Sequence, residues 1–390
     1  MTKHKPESQQ LNLQAGMLAK KWVITALLLL VSLLVFGSTP GSAGSDLLGE
    51  SRWSERWGEQ QQSNKRPIYL PVLVTKSTPT ILTGIYSQAF PGLQSTINNE
   101  FKVIDEWVGQ KLSIGATFID FEGPNPRANF KGQMEVLWNN GYTPFVNITT
   151  THSAVEVANG AIDGAIETMA SLYAEYAQGD TRMAYLAPFP EMNGDWVPYK
   201  LDPENYKRAF IRIQTIFARR GVPDGSVRWV FVPNGWSRPG TPGFESYYPG
   251  DSVVDVVAFS AYNFGYNPNT PAGVWYNPPE VFGKYIDRMR AMAPSKPIFI
   301  AQTGTSAYTS SGASSEAKNR WLREAYQYLA GSPGVRAVIY FNKVNQQGVD
   351  WPFYVPGNSA QQFPGYREGV LSSDYGYVSP AELKAYNLSP

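Results

Sequence analysis

Short apolar runs recur along the chain from residue 80 onward, and stretches with helical spacing separate most of them. Each run is continuous rather than alternating with polar residues, which is typical of strands that are buried on both faces of a parallel sheet. The eight runs are 80–86, 112–120, 142–148, 183–189, 227–233, 253–260, 297–301 and 335–341. The pattern therefore predicts eight buried parallel strands.

Helical patterns fill most of the intervals. Ile166, Met169 and Tyr173 have the spacing of one helix face, and Pro203 marks a helix start because proline is favoured in the first turn. Further helices are predicted at 95–109, 127–140, 279–292 and 314–330. The connection 234–252 is rich in Gly and Pro and is predicted to be mostly loop. Eight strands with about six helices predict a (β/α)8 TIM barrel, and a doubly wound sheet is the alternative.

The residues before the first strand have a different pattern. An apolar stretch, 22–36, follows two lysines and precedes a run of small residues. It is short for a membrane span and typical of a signal-peptide core, so 1–43 is predicted to be a signal peptide or an uncleaved membrane anchor. Residues 44–78 are polar and are predicted to be a linker to the barrel, 79–390. Whether the segment is a cleaved signal peptide or an uncleaved anchor, the barrel is predicted to be secreted or extracytoplasmic, with membrane contact only through the anchor.

Composition limits the chemistry that the chain can perform. Its 33 basic and 32 acidic residues nearly cancel, and it has neither a basic cluster nor a Gly-rich phosphate loop, so nucleic acid is not expected as a partner. Cys is absent and there are only two His residues, which excludes thiolate metal sites, Cys nucleophiles and a His-rich metal site. Acid–base chemistry would then fall mainly to Asp and Glu. The 11 Trp, 23 Tyr and 19 Phe would suit a groove that stacks on flat apolar faces.

Two strand-end segments carry the candidate chemistry. PEMNGDW, with Glu191, Asn193 and Trp196, follows the fourth run, and Gln302 in KPIFIAQTGTS follows the seventh. Active sites of (β/α)8 barrels gather where the strands end. The sequence therefore predicts that Glu191 and Gln302 meet at one mouth of the barrel.

From about residue 80 to 355 the chain resembles glycoside hydrolase family 26, a (β/α)8 family of retaining endo-β-mannanases and β-glucanases. The matching segments are PEMNGDW, YYPGDSVVDVVAFSAYN, KPIFIAQTGTS and YFNKVNQQGVDWPFY. Their order and spacing agree with the family motifs of strands four, six, seven and eight. The resemblance implies a β-linked polysaccharide or oligosaccharide as the partner and requires no cofactor.

The resemblance also implies roles for individual residues. Glu191 corresponds to the acid/base, Gln302 occupies the nucleophile position, and Tyr262 would hydrogen-bond the nucleophile. Asn193 would orient Glu191 or contact the sugar. The further candidates for substrate contacts are Trp196, Tyr199, Trp236, Trp275, Asn342 and Trp351. For Tyr262 and for each Trp, a buried position in the core is the alternative to a place in the site.

The sequence departs from the family pattern at three positions. Gln302 replaces the nucleophilic Glu, Pro190 replaces the usual His, and Ala187 stands where an Arg is common. An amide is a poor nucleophile and carries no negative charge to balance an oxocarbenium ion. Two functions therefore stay open: an exported glycoside hydrolase that cuts β-linked polysaccharide such as mannan or β-glucan, and a pseudoenzyme that binds a glycan without cutting it.

Overall fold

The structure of the chain is a computed structural model that describes residues 80–87, 94–270, 273–344 and 348–385. The predicted signal peptide or anchor and the predicted linker lie outside the described residues. No helix in the described part of the chain is both long enough and apolar enough to cross a membrane.

Eight parallel strands close into a barrel. They are β1 (Ile81–Tyr86), β2 (Ile114–Asp120), β3 (Thr143–Thr149), β4 (Ala184–Pro188), β5 (Val227–Phe231), β6 (Val256–Asn263), β7 (Ile298–Thr305) and β8 (Val335–Phe341). Each strand pairs with its neighbours in chain order, and β8 pairs with β1, where Ile85 lies opposite Tyr340. The predicted (β/α)8 TIM barrel is confirmed, and a doubly wound sheet is wrong because such a sheet would stay open.

Burial on both faces explains why the strands have continuous apolar sequences. Alternate residues point into the barrel, where Phe145, Tyr185 and Phe299 belong to one buried cluster. The residues between them point outward and pack against the helices, as Val146 and Leu186 do. Because neither face meets water, neither face requires polar side chains.

Helices follow all the strands except β5. The longer helical segments are Lys102–Val108, Gln133–Asn139, Asp163–Ala177, Pro203–Arg219, Pro278–Met292, Ser315–Ala330 and Pro364–Val370. The first two continue from π-helical turns at Ile97–Phe101 and Arg127–Gly132, and short helices lie at Gln94–Thr96, Ala154–Ala158 and Pro380–Ala385. Connection 234–252 contains one 3-10 turn, Phe244–Tyr247, and is otherwise loop, as predicted.

Local sequence signals set the starts of these helices. Asp202 precedes Pro203 and accepts a hydrogen bond from the Asn205 backbone N–H at 3.2 Å, which satisfies a free donor of the first turn. Ser314 does the same for the Ala317 N–H at 3.1 Å. These caps mark where the loops that leave β4 and β7 end, and the loop after β4 carries Glu191.

The last described segment closes the far end of the barrel. Tyr375–Gly376 pairs with the start of β1, and Leu383, which is 2% exposed, packs into the cluster inside the barrel. The strands begin at this covered end. The opposite end, where the strands finish, is the one that remains available for a ligand.

Candidate active site

Glu191 lies three residues after β4 and has a strained backbone. Its φ angle is 61°, in the left-handed region that residues other than Gly rarely adopt, and its N–H donates to the Val232 carbonyl at 2.7 Å. Strained residues of this kind persist where the surrounding structure imposes them, and they cluster at functional sites. The strain directs the Glu191 side chain toward the mouth of the barrel.

Three donors hold the Glu191 carboxylate. Trp196 Nε1 donates to Oε2 at 2.8 Å, Asn234 Nδ2 donates to Oε1 at 3.1 Å, and the Ser260 hydroxyl donates to the same Oε1. The donors come from the loop after β4, the end of β5 and strand β6. Because they converge from three elements, they fix both the position and the plane of the carboxylate.

Asn193 is fully buried beneath this network. Its Nδ2 donates to the backbone carbonyls of Asn234 and Trp236 at 2.8 and 3.2 Å, and its Oδ1 accepts from the Asn234 N–H at 2.8 Å. It therefore positions Asn234, which in turn holds Glu191. Of the two roles predicted for Asn193, orienting Glu191 matches these contacts, whereas touching a sugar would require the amide to leave its partners.

Gln302 lies beside Glu191 at the same mouth. It is on β7, is 5% exposed, and pairs with Ser260 in the sheet. Its Oε1 accepts a hydrogen bond from the Tyr262 hydroxyl at 3.0 Å. Ser260 and Tyr262 are two residues apart on β6 and point to the same face, so one strand contacts Glu191 through the first and Gln302 through the second.

Tyr262 is a hydrogen-bond donor throughout the physiological pH range. Burial raises its pKa well above the ordinary value, and the charge of Glu191 adds to the shift. A phenol that stays protonated can donate to an amide or to a carboxylate at position 302. The Tyr262 hydroxyl therefore donates to the side chain at position 302, and its part in catalysis stays a prediction.

An aromatic wall lines the mouth next to Gln302. Trp351 stacks on Tyr262 with ring centroids 4.4 Å apart, and it meets Phe341 edge-on at 5.7 Å. Tyr86, at the end of β1, stacks on Phe341 at 4.9 Å. A Cβ atom at Gly304 would lie 2.9 Å from Trp351 Cγ, so the close approach of Trp351 to β7 depends on glycine there.

The two exposed tryptophans of the site lie on the side of Glu191. Trp196 is 44% exposed and Trp236 is 48% exposed. The Trp196 ring covers Gly194, where a Cβ atom would come within 2.4 Å of the ring. Large exposed aromatic faces beside a fixed carboxylate suit the apolar faces of sugar rings.

Tyr199, Asn342 and Trp275 support the mouth rather than line it. Tyr199 is 1% exposed and donates to the Pro190 carbonyl at 3.0 Å. Asn342 is fully buried, and its Oδ1 accepts from the Phe353 N–H at 2.9 Å. Trp275 is half-buried against the outer core. The first two would have to break these contacts to reach a sugar.

The sequence analysis missed Asn234 and Ser260. Both follow or end apolar runs, at the edge where Glu191 and Gln302 emerge. The signal that could have identified them as site residues was their position at strand ends. Their side chains now account for two of the three contacts to Glu191.

A second polar group lies where β2 and β3 end. His152 Nε2 is 3.1 Å from Glu122 Oε2, and burial raises the pKa of Asp120. The hydrogen bonds of the described residues do not connect this group to Glu191 or Gln302. Among the residues that the structure describes, no group of three His, Asp or Glu side chains is arranged to hold a metal ion.

Endoglucanase H of Acetivibrio thermocellus is 27% identical over 316 residues, which cover 78% of this chain. Those residues make up 32% of the relative, so the chain spans about a third of that protein's length.

Two solved structures share the fold. The GH26 domain of an endo-beta-mannanase/endo-beta-glucanase from Prevotella bryantii is 14% identical with a TM-score of 0.53, over 78% of this chain and 92% of that one. A beta-mannanase from a symbiotic protist of the termite Reticulitermes speratus, complexed with gluco-manno-oligosaccharide, is 15% identical with a TM-score of 0.51, over 78% and 90%.

The family model described as glycosyl hydrolase family 26 matches residues 128–324. This match spans just over half of the 390 residues, and it includes Glu191, Ser260, Tyr262 and Gln302. The chain belongs to glycosyl hydrolase family 26.

Proposed function

We propose that this chain acts on a β-linked polysaccharide, mannan or β-glucan, at a retaining-type glycoside hydrolase site with Glu191 as the acid/base. The observation that carries the proposal is the placement of the Glu191 carboxylate, held by three donors at the end of β4 beside the exposed ring of Trp196. The names of the related endoglucanase and mannanases support the substrate class.

Proton transfer to a glycosidic oxygen is the step that we assign to Glu191. A retaining glycosidase places two carboxyl groups about 5–5.5 Å apart, one to protonate the leaving oxygen and one to attack the anomeric carbon. In our proposal Glu191 gives its proton to the leaving oxygen and later takes one from the attacking water. Gln302, next to the donor Tyr262, occupies the position from which such a carboxylate would attack, so we expect cleavage by the wild type to be slow.

Gln302 favours a second candidate function, glycan binding without hydrolysis. Its amide nitrogen can donate to a sugar hydroxyl, but its neutral oxygen can neither form a stable glycosyl ester nor balance positive charge at the anomeric carbon. The remaining features suit a neutral polyol, because apolar stacking and a few aimed hydrogen bonds are what such a ligand requires. In this version the site keeps its specificity and loses its turnover.

We further propose that the barrel works outside the cytoplasm. The apolar stretch 22–36 supports export, either after cleavage or on an anchor. A polysaccharide is too large to cross a membrane unaided, so a protein that acts on it must meet it outside.

Product analysis tests the proposal. The full chain is incubated with β-mannan and with mixed-linked β-glucan, and the products of the wild type are compared with those of Glu191→Gln and of a control, Glu122→Gln. Glu122 lies at the same mouth but contacts His152 rather than Glu191. We expect slow cleavage that Glu191→Gln abolishes and Glu122→Gln leaves intact.

Oligosaccharide binding to the same variants separates the two candidates. Binding without detectable cleavage would establish the second function. Rapid cleavage that survives Glu191→Gln, or the absence of both binding and cleavage, would overturn the assignment of the site.

A further inference from the structure

Lys318 is a buried cation outside the hydrogen-bond network of Glu191. It lies on the helix Ser315–Ala330, and its side chain is 1% exposed. Its ammonium group donates to the Asp350 backbone carbonyl, lies 4.0 Å from the Asp350 carboxylate and lies 4.4 Å from the centre of the Phe363 ring. Burial lowers the pKa of Lys318 to about 7, and the Asp350 charge opposes that shift.

Asp350 ties three loops of the mouth together. Its Oδ1 accepts from the Ser306 hydroxyl and from Asn267 Nδ2, the latter at 2.9 Å, and its Oδ2 accepts from the Ala307 N–H at 2.8 Å. Asn267 follows β6, the other two donors follow β7, and Asp350 itself follows β8. The carboxylate is thus well supplied with donors even without Lys318.

The residue after Asp350 is Trp351, which packs against the site and is only 5% exposed. Trp351 stacks on Tyr262, and Tyr262 donates to Gln302. The Trp351 carbonyl accepts from the Tyr340 hydroxyl at 2.8 Å, which fixes the backbone at this point. A continuous set of contacts therefore leads from Lys318 through Asp350, Trp351 and Tyr262 to Gln302.

We propose that Lys318 and Asp350 are positioning residues that hold Trp351 against Tyr262 and thereby set the affinity of the site for its glycan. The proposal rests on the proposed function, since it concerns the same site. Burial of a charged amine is costly, and a buried ion pair contributes little net stability compared with apolar residues of similar size. A positioning role gives a reason for a buried amine at this place that stability alone does not.

The first test compares stability with affinity. Lys318→Met fills the same space and leaves the Asp350 carboxylate with its three donors, so we expect an unfolding temperature close to that of the wild type. Affinity for the best-bound manno- or gluco-oligosaccharide, measured by calorimetry, should fall about tenfold, as for loss of one well-placed contact. The matched control is Arg323→Met on the same helix, which breaks an exposed ion pair with Glu368 and should leave affinity unchanged.

A double-mutant cycle shows whether Lys318 acts through Trp351. In a Trp351→Ala background, Lys318→Met should cause no further loss of affinity, because the ring that it positions is gone. An equal loss in both backgrounds, or an unaltered affinity in Lys318→Met, would overturn the inference. If Lys318→Met does not fold, Lys318→Leu provides the same comparison, because it also removes the ammonium group and leaves Asp350 unchanged.

The outcomes distinguish this inference from the proposed function. If the wild type binds no β-linked oligosaccharide, the proposed function fails. If the wild type binds and Lys318→Met binds equally well, only the positioning role fails.

Discussion

Gln302→Glu is the most informative single substitution in this chain. The two side chains have the same length, and the environment of position 302 already contains the Tyr262 hydroxyl at 3.0 Å from Oε1. The new carboxylate would accept that hydrogen bond and share the mouth with Glu191, because Ser260 and Tyr262 of β6 contact Glu191 and position 302 respectively. We expect the variant to hydrolyse β-mannan or β-glucan much faster than the wild type.

The size of the gain follows from charge. Removing one group that stabilises a charged transition state typically costs about 10²–10³ in rate, or roughly 2.7–4 kcal/mol. Restoring a nucleophile that also carries the balancing charge should therefore raise kcat/KM by at least about a hundredfold.

Repulsion between the two carboxylates gives a second signature. At a spacing of about 5 Å and an effective dielectric of about 20, two ionised carboxylates repel by roughly 3 kcal/mol. The pair then shares one proton near neutral pH, and a bell-shaped rate profile should appear in Gln302→Glu.

The assay is reducing-sugar release under initial-rate conditions. Gln302→Asp is the matched control, because its carboxylate is one methylene too short to reach the same point. Adding Glu191→Gln to Gln302→Glu should remove most of the gain. A folded Gln302→Glu variant that binds oligosaccharide but cleaves no faster than the wild type would refute this reasoning.

Three further predictions test separate parts of the account. Ser260→Ala removes a donor to Glu191, so in the Gln302→Glu background it should lower kcat about tenfold, as measured in the same assay. Burial raises the pKa of Asp105 from 3.8 to about 6, so the folded state binds this proton more tightly than the unfolded state. Unfolding free energy should therefore fall as pH rises from about 4 to about 6, and denaturant titrations of Asp105→Asn should lack that slope. N-terminal sequencing of exported protein should find a mature chain beginning near Gly44, whereas full-length protein in the membrane would indicate the anchor.

The barrel could be predicted from the sequence because each strand is buried on both faces. A strand that is buried on both faces has no alternating polar residues. Eight continuous apolar runs between helical segments are therefore typical of a closed parallel sheet. The mouth could be located for a related reason, since Glu191 and Gln302 both follow such runs and parallel strands end together.

The direction of individual side chains could not be predicted. Asn193 and Asn342 follow strands as Glu191 does, yet both are fully buried and bind backbone groups. A polar residue after a strand has the same sequence pattern whether it faces the ligand or supports a loop. The contacts of Asn234 and Ser260 with Glu191 also needed the structure, because they depend on how β4, β5 and β6 meet in space.

Calorimetric titration with manno- and gluco-oligosaccharides tests the central claim most directly. At least one β-linked oligosaccharide should bind with micromolar to millimolar affinity, about −4 to −8 kcal/mol. Trp196→Ala should weaken that binding, whereas Tyr377→Ala, an exposed aromatic at the covered end of the barrel, should leave it unchanged. Absence of binding at millimolar concentrations, or affinity that Trp196→Ala and Glu191→Ala leave untouched, would contradict the placement of the site.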